Sequence, residues 1–280
     1  MTVKVVTDSS CDLPQELADE LGIAIVPLTI RFGEEEFVDR LDLTPDQFWA
    51  RCAASPTLPE TAAPSPGAFE AAFRGAADEG HDAVVAVLLS GGLSATVQSA
   101  QLAAGTVAGS ISVRVIDTRA ASSAVGLMAL NAARLARAGK GMDDVAGAAE
   151  DEIPRTKLYA TFDTLDNLRK GGRIGRAQAL FGSVLSMKPV IQLVDGVVEA
   201  ESRQRTRSKS LRHLADKVRE AGRVEHLVLL HADAPDYEDL LVQLEEFTPR
   251  EEIIVTRIGA VIGTHSGPRA MGVVFQLSPS

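Results

Sequence analysis

Cysteine is nearly absent: Cys11 and Cys52 are the only two in 280 residues. One pair cannot build a scaffold of several bridges, and no Cys or His pair has the spacing of a zinc site. The fold must therefore rest on a hydrophobic core, which a hydrophobic content of 45% can supply. Aromatic residues are scarce too, at 4%, so a ligand chamber in this chain would have walls of Val, Leu, Ile, Ala and Met. No apolar run approaches the roughly 20 residues of a membrane-spanning helix. The N-terminus, Met1-Thr-Val-Lys-Val-Val-Thr7-Asp8-Ser9-Ser10, reads directly as strand and turn. It lacks a basic region followed by an apolar signal core, which predicts a cytoplasmic protein. Positive charge is in deficit as well. A net charge of −10 speaks against nonspecific nucleic-acid binding, since neutralising phosphates needs a basic surface. Walker A and strand-linked G-x-G-x-x-G sequences are both missing, so nucleotide binding has no motif support.

What is present is an alternation of short apolar runs with helical segments, the signature of α/β architecture. Strands are predicted at Val3–Thr7, Ile25–Ile30, Ala83–Leu89 and Ile111–Ile116, and helices at Pro14–Leu21, Ser94–Ala104 and Arg119–Arg137. Thr44-Pro45-Asp46-Gln47 has the form of a capping box with Pro at the first helical position, and Ser65-Pro66 starts a helix by the same logic. Such βαβ succession implies mainly parallel pairing. The charged stretch Met142–Glu152, ending in Ile153-Pro154, marks the best domain boundary. Beyond it come strand Leu158–Thr161, a hairpin of Val190–Val194 and Val197–Ala200 turned by Asp195-Gly196, and helix Leu211–Glu220. Strand Leu227–His231, helix Asp236–Glu246 and strand Ile253–Ile258 complete the chain. Two α/β domains sharing a cleft are expected, 1–154 with a mainly parallel sheet and 155–280.

Four segments carry candidate chemistry. Gly259-Ala-Val-Ile-Gly263-Thr264-His265-Ser266-Gly267-Pro268 sets a His between two hydroxyls in a glycine-loosened backbone, so all three could donate to one anionic oxygen cluster; an ordinary Gly-Pro surface loop is the alternative. Ser90-Gly91-Gly92-Leu93-Ser94 follows a strand and opens a helix, where free N–H groups favour an anion, although Ser94 could be a simple cap. Arg173, beside Gly171 and Gly172, could reach a carboxylate or phosphate, or lie in a basic surface turn. Thr61 precedes the Pro64-Ser65-Pro66 connection, which would fix the direction of its hydroxyl. A small hydrolase using Ser94 with His265 or His231 is the enzymatic alternative, but Thr96 stands where G-x-S-x-G needs Gly. One local basic run, Arg203-Gln-Arg205-Thr-Arg207-Ser-Lys209 with Arg212 after it, is either a solvated helix start or a docking patch for an acidic partner.

Taken in order, these segments resemble the DegV family of bacterial fatty-acid-binding proteins from end to end. Thr61-Ala-Ala-Pro-Ser-Pro66 is similar to the family's Thr-Ser-Gln-Pro-Ser-Pro, and Ser90-Gly-Gly-Leu-Ser94-Ala-Thr-Val-Gln-Ser-Ala100 to its Ser-Ser-Gly-Leu-Ser-Gly-Thr-Tyr-Gln-Ser-Ala. Thr7-Asp8-Ser9-Ser10-Cys11-Asp12-Leu13-Pro14, Ile116-Asp117-Thr118, Leu168-Arg-Lys-Gly-Gly-Arg-Ile174, Lys188-Pro189 and Gly263-Thr-His-Ser-Gly-Pro268 match as well. The resemblance implies a long-chain fatty acid such as palmitate buried between two α/β domains, its carboxylate bound by Thr61 and Ser94, with His265 beside them and Arg173 nearby. It also implies a carrier that does no chemistry and needs no cofactor, presenting its acyl chain to a separate fatty acid kinase. Arg203, Arg205 and Arg207 are the candidate docking surface for that kinase. This sequence departs from the family at Ala62 and Ala63, which replace a polar pair, at Gly91, which replaces Ser, and at Arg269, where Gly is frequent.

Overall fold

The structure, a computed structural model, describes residues 2–55, 57–180 and 187–278. The first half runs through β1 (Val3–Asp8), α1 (Gln15–Leu21), β2 (Ala24–Val26), β3 (Thr29–Phe32), β4 (Glu35–Val38), α2 (Pro45–Ala54), β5 (Glu60–Ala62) and α3 (Pro66–Asp78). It continues with β6 (Ala83–Leu88), α4 (Thr96–Val107), β7 (Ser112–Asp117), α5 (Ser123–Arg137) and α6 (Met142–Glu152). Strands β2, β1, β6 and β7 form a parallel sheet in that order. Central β6, Ala-Val-Val-Ala-Val-Leu, is buried at every position, as a parallel strand covered on both faces must be. Its Val84, Ala86 and Leu88 meet α3 and α4, while Val85 and Val87 join the cluster that contains α5.

The expected strand Ile25–Ile30 is two strands. Pro27 has no N–H to donate and interrupts the ladder, so Val26 ends β2 in the parallel sheet while Thr29 opens β3 in a separate antiparallel sheet, β4-β3-β5. The predicted caps are present. Gln47 N–H donates to Thr44 Oγ1 at 3.3 Å and Thr44 N–H to Gln47 Oε1 at 2.9 Å, and Ser65 Oγ accepts from Ala68 N–H at 3.2 Å.

The second half comprises β8 (Thr156–Thr161), α7 (Asp166–Lys170), β9 (Lys188–Val194), β10 (Val197–Gln204), α8 (Arg207–Ala221) and β11 (Val224–His231), then α9 (Tyr237–Leu244), β12 (Ile253–Arg257), α10 (Ala260–Ser266) and β13 (Met271–Leu277). Its sheet has the order β10-β9-β8-β13-β11-β12 and is antiparallel except for the β11–β12 pair. The parallel pairing expected for 1–154 is present in the first sheet, whereas this second sheet is mostly antiparallel. The last strand, β13, has no counterpart among the expected elements; it enters between β8 and β11 and pairs antiparallel with both. The β9–β10 hairpin turns as expected, with Asp195 and Gly196 both at positive φ, 49° and 81°.

The two sheets face each other across α5. Leu227, Leu229, Val273 and Phe275 turn to α8 and α9 on the outer side. Leu158, Ala160, Val228 and Leu230 turn inward and share one core cluster with α5 and with β1 of the first sheet. The inner faces do not close completely, and the space left between them is the candidate site.

Candidate functional site

A cavity of about 220 Å³ opens between the sheets. Leu158, Ala160, Ile191, Leu230 and Ile258 line it from the second sheet, and Leu28, Leu89, Leu93 and Ala121 from the first half. Thr61, Ser94, Ser122, Arg173, His265 and Ser266 supply its polar wall. Five of the residues singled out from sequence, Thr61, Ser94, Arg173, His265 and Ser266, thus meet although they come from β5, the β6–α4 loop, the segment after α7, and α10. No described group of three His, Cys, Asp or Glu could hold a metal ion.

His265 rides on a helix: residues Ala260–Ser266 of the glycine-rich segment form α10, and not the surface loop of the alternative reading. The helix is anchored from outside: Trp49 Nε1 donates to Ile258 O at 3.3 Å, and Asn167 Nδ2 to Thr264 O at 3.1 Å. Thr61, placed by its pairing with Ile30, brings Oγ1 to 2.9 Å from His265 Nε2. The other ring nitrogen, Nδ1, is buried with no partner and faces Gly171, where a Cβ would lie 2.4 Å from it. Gly171 is therefore required by the imidazole, and not by the freedom of Arg173 as its position in the sequence suggested. Burial, with the Arg173 charge as a second cause, pushes the imidazole down to about 4, so at neutral pH His265 is an uncharged hydrogen-bonding group.

Arg173 is half-buried. Its Nε donates to Leu93 O at 3.1 Å and its Nη1 to Gly171 O at 2.8 Å, which ties the two halves together at the cavity rim. Among the described residues no carboxylate forms an ion pair with it. A fixed cation without an anion, next to a neutral His and a Thr hydroxyl, is complementary to a single carboxylate.

Ser94 lies before α4, not inside it. Its Oγ is 2.8 Å from Thr96 Oγ1, while His265 is engaged with Thr61. The Ser94–His265 pair that a hydrolase would need is not formed. His231 is stacked on Tyr237 at 4.6 Å between ring centroids and does not line the cavity. Ser266 lines it with the hydroxyl turned to Gly267 O at 3.2 Å. Thr264 does not: its hydroxyl donates back to Ala260 O at 2.8 Å within α10, because three residues in a row cannot share one helix face.

The basic run is divided by the fold. Arg207 is not a free docking residue, since its Nε and Nη2 grip Asp236 at 2.9 and 3.1 Å. Arg203 donates to Ala179 O. Arg205 and Arg212 are exposed.

One residue of the cavity wall, Ser122, had no signal in the sequence. Ser122, with φ 56° and ψ −144°, holds a backbone conformation rarely open to a side-chain-bearing residue. Its hydroxyl donates to buried Asp12, whose other oxygen accepts from Gly259 N–H at 2.8 Å. One carboxylate thus joins the start of α5 to the start of α10. Burial holds Asp12 up at about 7 against the pull of these two hydrogen bonds.

The departures from the family pattern have local causes. Ala63 lines the cavity, whereas Ala62 is exposed. At Gly91 a Cβ would meet Asp117 Oδ2 at 2.9 Å, so a Ser there requires Asp117 to move. Arg269 has φ 61°, a conformation that suits Gly, and its Nε pairs with Asp163 at 3.2 Å.

Comparisons with known proteins give the family and match the fold. The family model for "Uncharacterised protein, DegV family" matches residues 2–277. A DegV domain-containing protein of Streptomyces coelicolor is 37% identical over 97% of this chain and 97% of its own length. One from Mycobacterium tuberculosis is 38% identical over 100% and 99%. Among solved structures, a fatty-acid-binding DegV family protein of Thermus thermophilus superposes with a TM-score of 0.92 at 35% identity, over 99% of this chain and 100% of its own. DegV of Bacillus subtilis, a fatty acid binding protein, superposes with a TM-score of 0.90 at 30% identity over the same shares. The chain belongs to the DegV family.

Proposed function

We propose that this protein binds a long-chain fatty acid such as palmitate, burying the tail between its sheets with the carboxylate at Thr61, Ser94, Arg173 and His265. The observation that carries the reading is the asymmetry of the cavity, aliphatic over most of its wall and, at one rim, bearing Arg173 without an acidic partner. Burying an acyl tail gains roughly 0.8 kcal/mol per methylene, so about 14 methylenes supply about 11 kcal/mol before the costs of association. The head group then needs only partners, and the rim offers a cation, two hydroxyls and a neutral imidazole. The fatty-acid-binding relatives from Thermus and Bacillus support the same ligand class. Native mass spectrometry with organic extraction tests it. Lipid-free protein that also fails to take up added palmitate overturns the reading.

The finer proposal is that the chain is a cytoplasmic carrier of two domains, 1–154 and 155–280, that performs no reaction and presents its carboxylate to a separate fatty acid kinase. Exposed Arg205, with Arg203 near it, belongs to the docking surface, so association should be faster at low salt. Arg205→Glu should slow phosphorylation of bound palmitate by a cognate kinase and leave palmitate binding unchanged. Ester turnover that disappears in Ser94→Ala would instead favour a hydrolase.

A further inference from the structure

Beside the cavity lies a buried hydroxyl pair, next in sequence to the Ser122–Asp12 contact. Ser123 Oγ and Thr256 Oγ1 lie 2.6 Å apart, joining the first turn of α5 to β12, and each residue is 3% exposed. Behind them is a void of about 10 Å³, otherwise lined by Cys11, Leu13, Leu127, Leu130, Val228 and Ile254. The void is separate from the main cavity and lies behind residues adjacent to its wall. Ser122, one residue before Ser123, lines the cavity, as do Leu230, which pairs with Thr256 across the sheet, and Ile258, two residues beyond Thr256 on the same face of the strand. Val228 and Ile254, on the far side, belong to the same inward face of β11 and β12.

Two hydroxyls in such surroundings satisfy each other, and neither can be lost alone without leaving the other unpaired. An aliphatic pair would be free to rotate aside for a tail. A mutually bonded pair bridging a helix and a strand is fixed in place. Resting on the fatty-acid reading above, we propose that the Ser123–Thr256 contact is the stop for the acyl chain: it sets the length of chain this protein accepts, and the void behind it is space denied to the terminal methyl.

The test is the chain-length profile, measured as relative affinity for saturated fatty acids from 12 to 20 carbons. Ser123→Ala/Thr256→Ala removes both hydroxyls together and joins the void to the cavity. The optimum should move to longer chains, with about a fourfold gain for each added methylene that becomes buried. Ser123→Thr adds a methyl at the stop and should move the optimum to shorter chains, which keeps the proposal testable if the double variant folds poorly. Thr256→Val keeps the shape but removes the hydrogen bond that fixes the pair, so the optimum should also move toward longer chains, by less than in the double variant. Wild-type uptake with an unchanged optimum in both the opening and the filling variants overturns the stop alone. A wild-type protein that takes up no fatty acid of any length overturns the ligand reading and the stop together.

Discussion

Thr61 Oγ1 and His265 Nε2 meet at 2.9 Å across 204 positions of sequence, one at the edge of a three-stranded sheet and the other on a short helix. The contact fixes the imidazole plane at the cavity rim and leaves the Thr hydroxyl one further direction in which to bond. Thr61→Val keeps the shape and removes that oxygen. Palmitate affinity should fall by about 0.5–1.5 kcal/mol, the usual value of a neutral hydrogen bond, with a loss of stability of about the same size because half-buried His265 Nε2 loses its partner. Titration calorimetry on both proteins checks it, and equal affinities would place the head group elsewhere.

Much of this site was legible as a set of segments and not as a geometry. Ser94, Arg173 and His265 stand out because glycines, a strand end or a basic turn surround them. Thr61 is flagged only by the Pro-rich connection after it, and the family pattern supplies its role. The α/β succession of the first half was readable from buried runs such as Ala83–Leu88, whereas β13 was not, since its pairing partners β8 and β11 are contributed by distant sequence. The same limit hides Ser122 and its contact with Asp12, although Asp12 itself lies in a matching segment. Nothing near position 122 signals a left-handed serine, and the carboxylate that binds it lies 110 residues away. Thr264 and Arg207 erred in the opposite sense. Their residue types suit a binding surface, but one hydroxyl is turned into its own helix and one guanidinium is held by Asp236.

Two buried groups should oppose each other in the pH dependence of stability. Asp12 is held up at about 7 by burial, against an ordinary 3.8, so its contribution is complete below about pH 4 and is lost as pH rises through 7. His265 is pushed down to about 4 from 6.5, so its contribution is present above 6.5 and is lost as pH falls through 4. Between pH 4 and 6.5 the two slopes partly cancel. Asp12→Asn should therefore make stability rise more steeply with pH in that window, and His265→Gln should turn the slope downward. Asp8 and Asp39, also raised by burial, act alike in all three proteins and drop out of the comparison. Urea unfolding at half-unit pH steps measures this, and parallel profiles for the three proteins would contradict it.

Gly171→Ala tests the packing of the imidazole. The new Cβ would sit 2.4 Å from His265 Nδ1, which no side-chain rearrangement of alanine can relieve. The ring must move, and its contact with Thr61 moves with it. Overpacking of this kind costs about 1–3 kcal/mol of stability, and palmitate affinity should fall as well. Gly172→Ala, one residue on, meets no atom within 4 Å but has φ 71°. It should lose about 1 kcal/mol from backbone strain and keep its affinity. Thermal unfolding and calorimetry on the two variants separate a steric requirement at the site from a conformational one beside it.

Arg173 carries the sharpest prediction, because it separates recognition of a head group from burial of a tail. Its guanidinium has hydrogen bonds to Leu93 O and Gly171 O but no carboxylate partner among the described residues, so the bound anion is its expected counter-charge. A hydrogen bond to a charged group is worth about 1.5–3 kcal/mol, or roughly 10- to 150-fold in affinity. Wild-type protein should therefore prefer palmitate to hexadecanol, an alcohol of the same chain length, by a factor in that range. Arg173→Gln keeps a donor at the rim and removes the charge. It should lose most of this preference while binding hexadecanol about as well as wild type does. Competition binding with both lipids at neutral pH gives the two ratios. Equal discrimination by wild type and variant would show that the carboxylate is bound without Arg173, through Thr61, Ser94 and His265 alone.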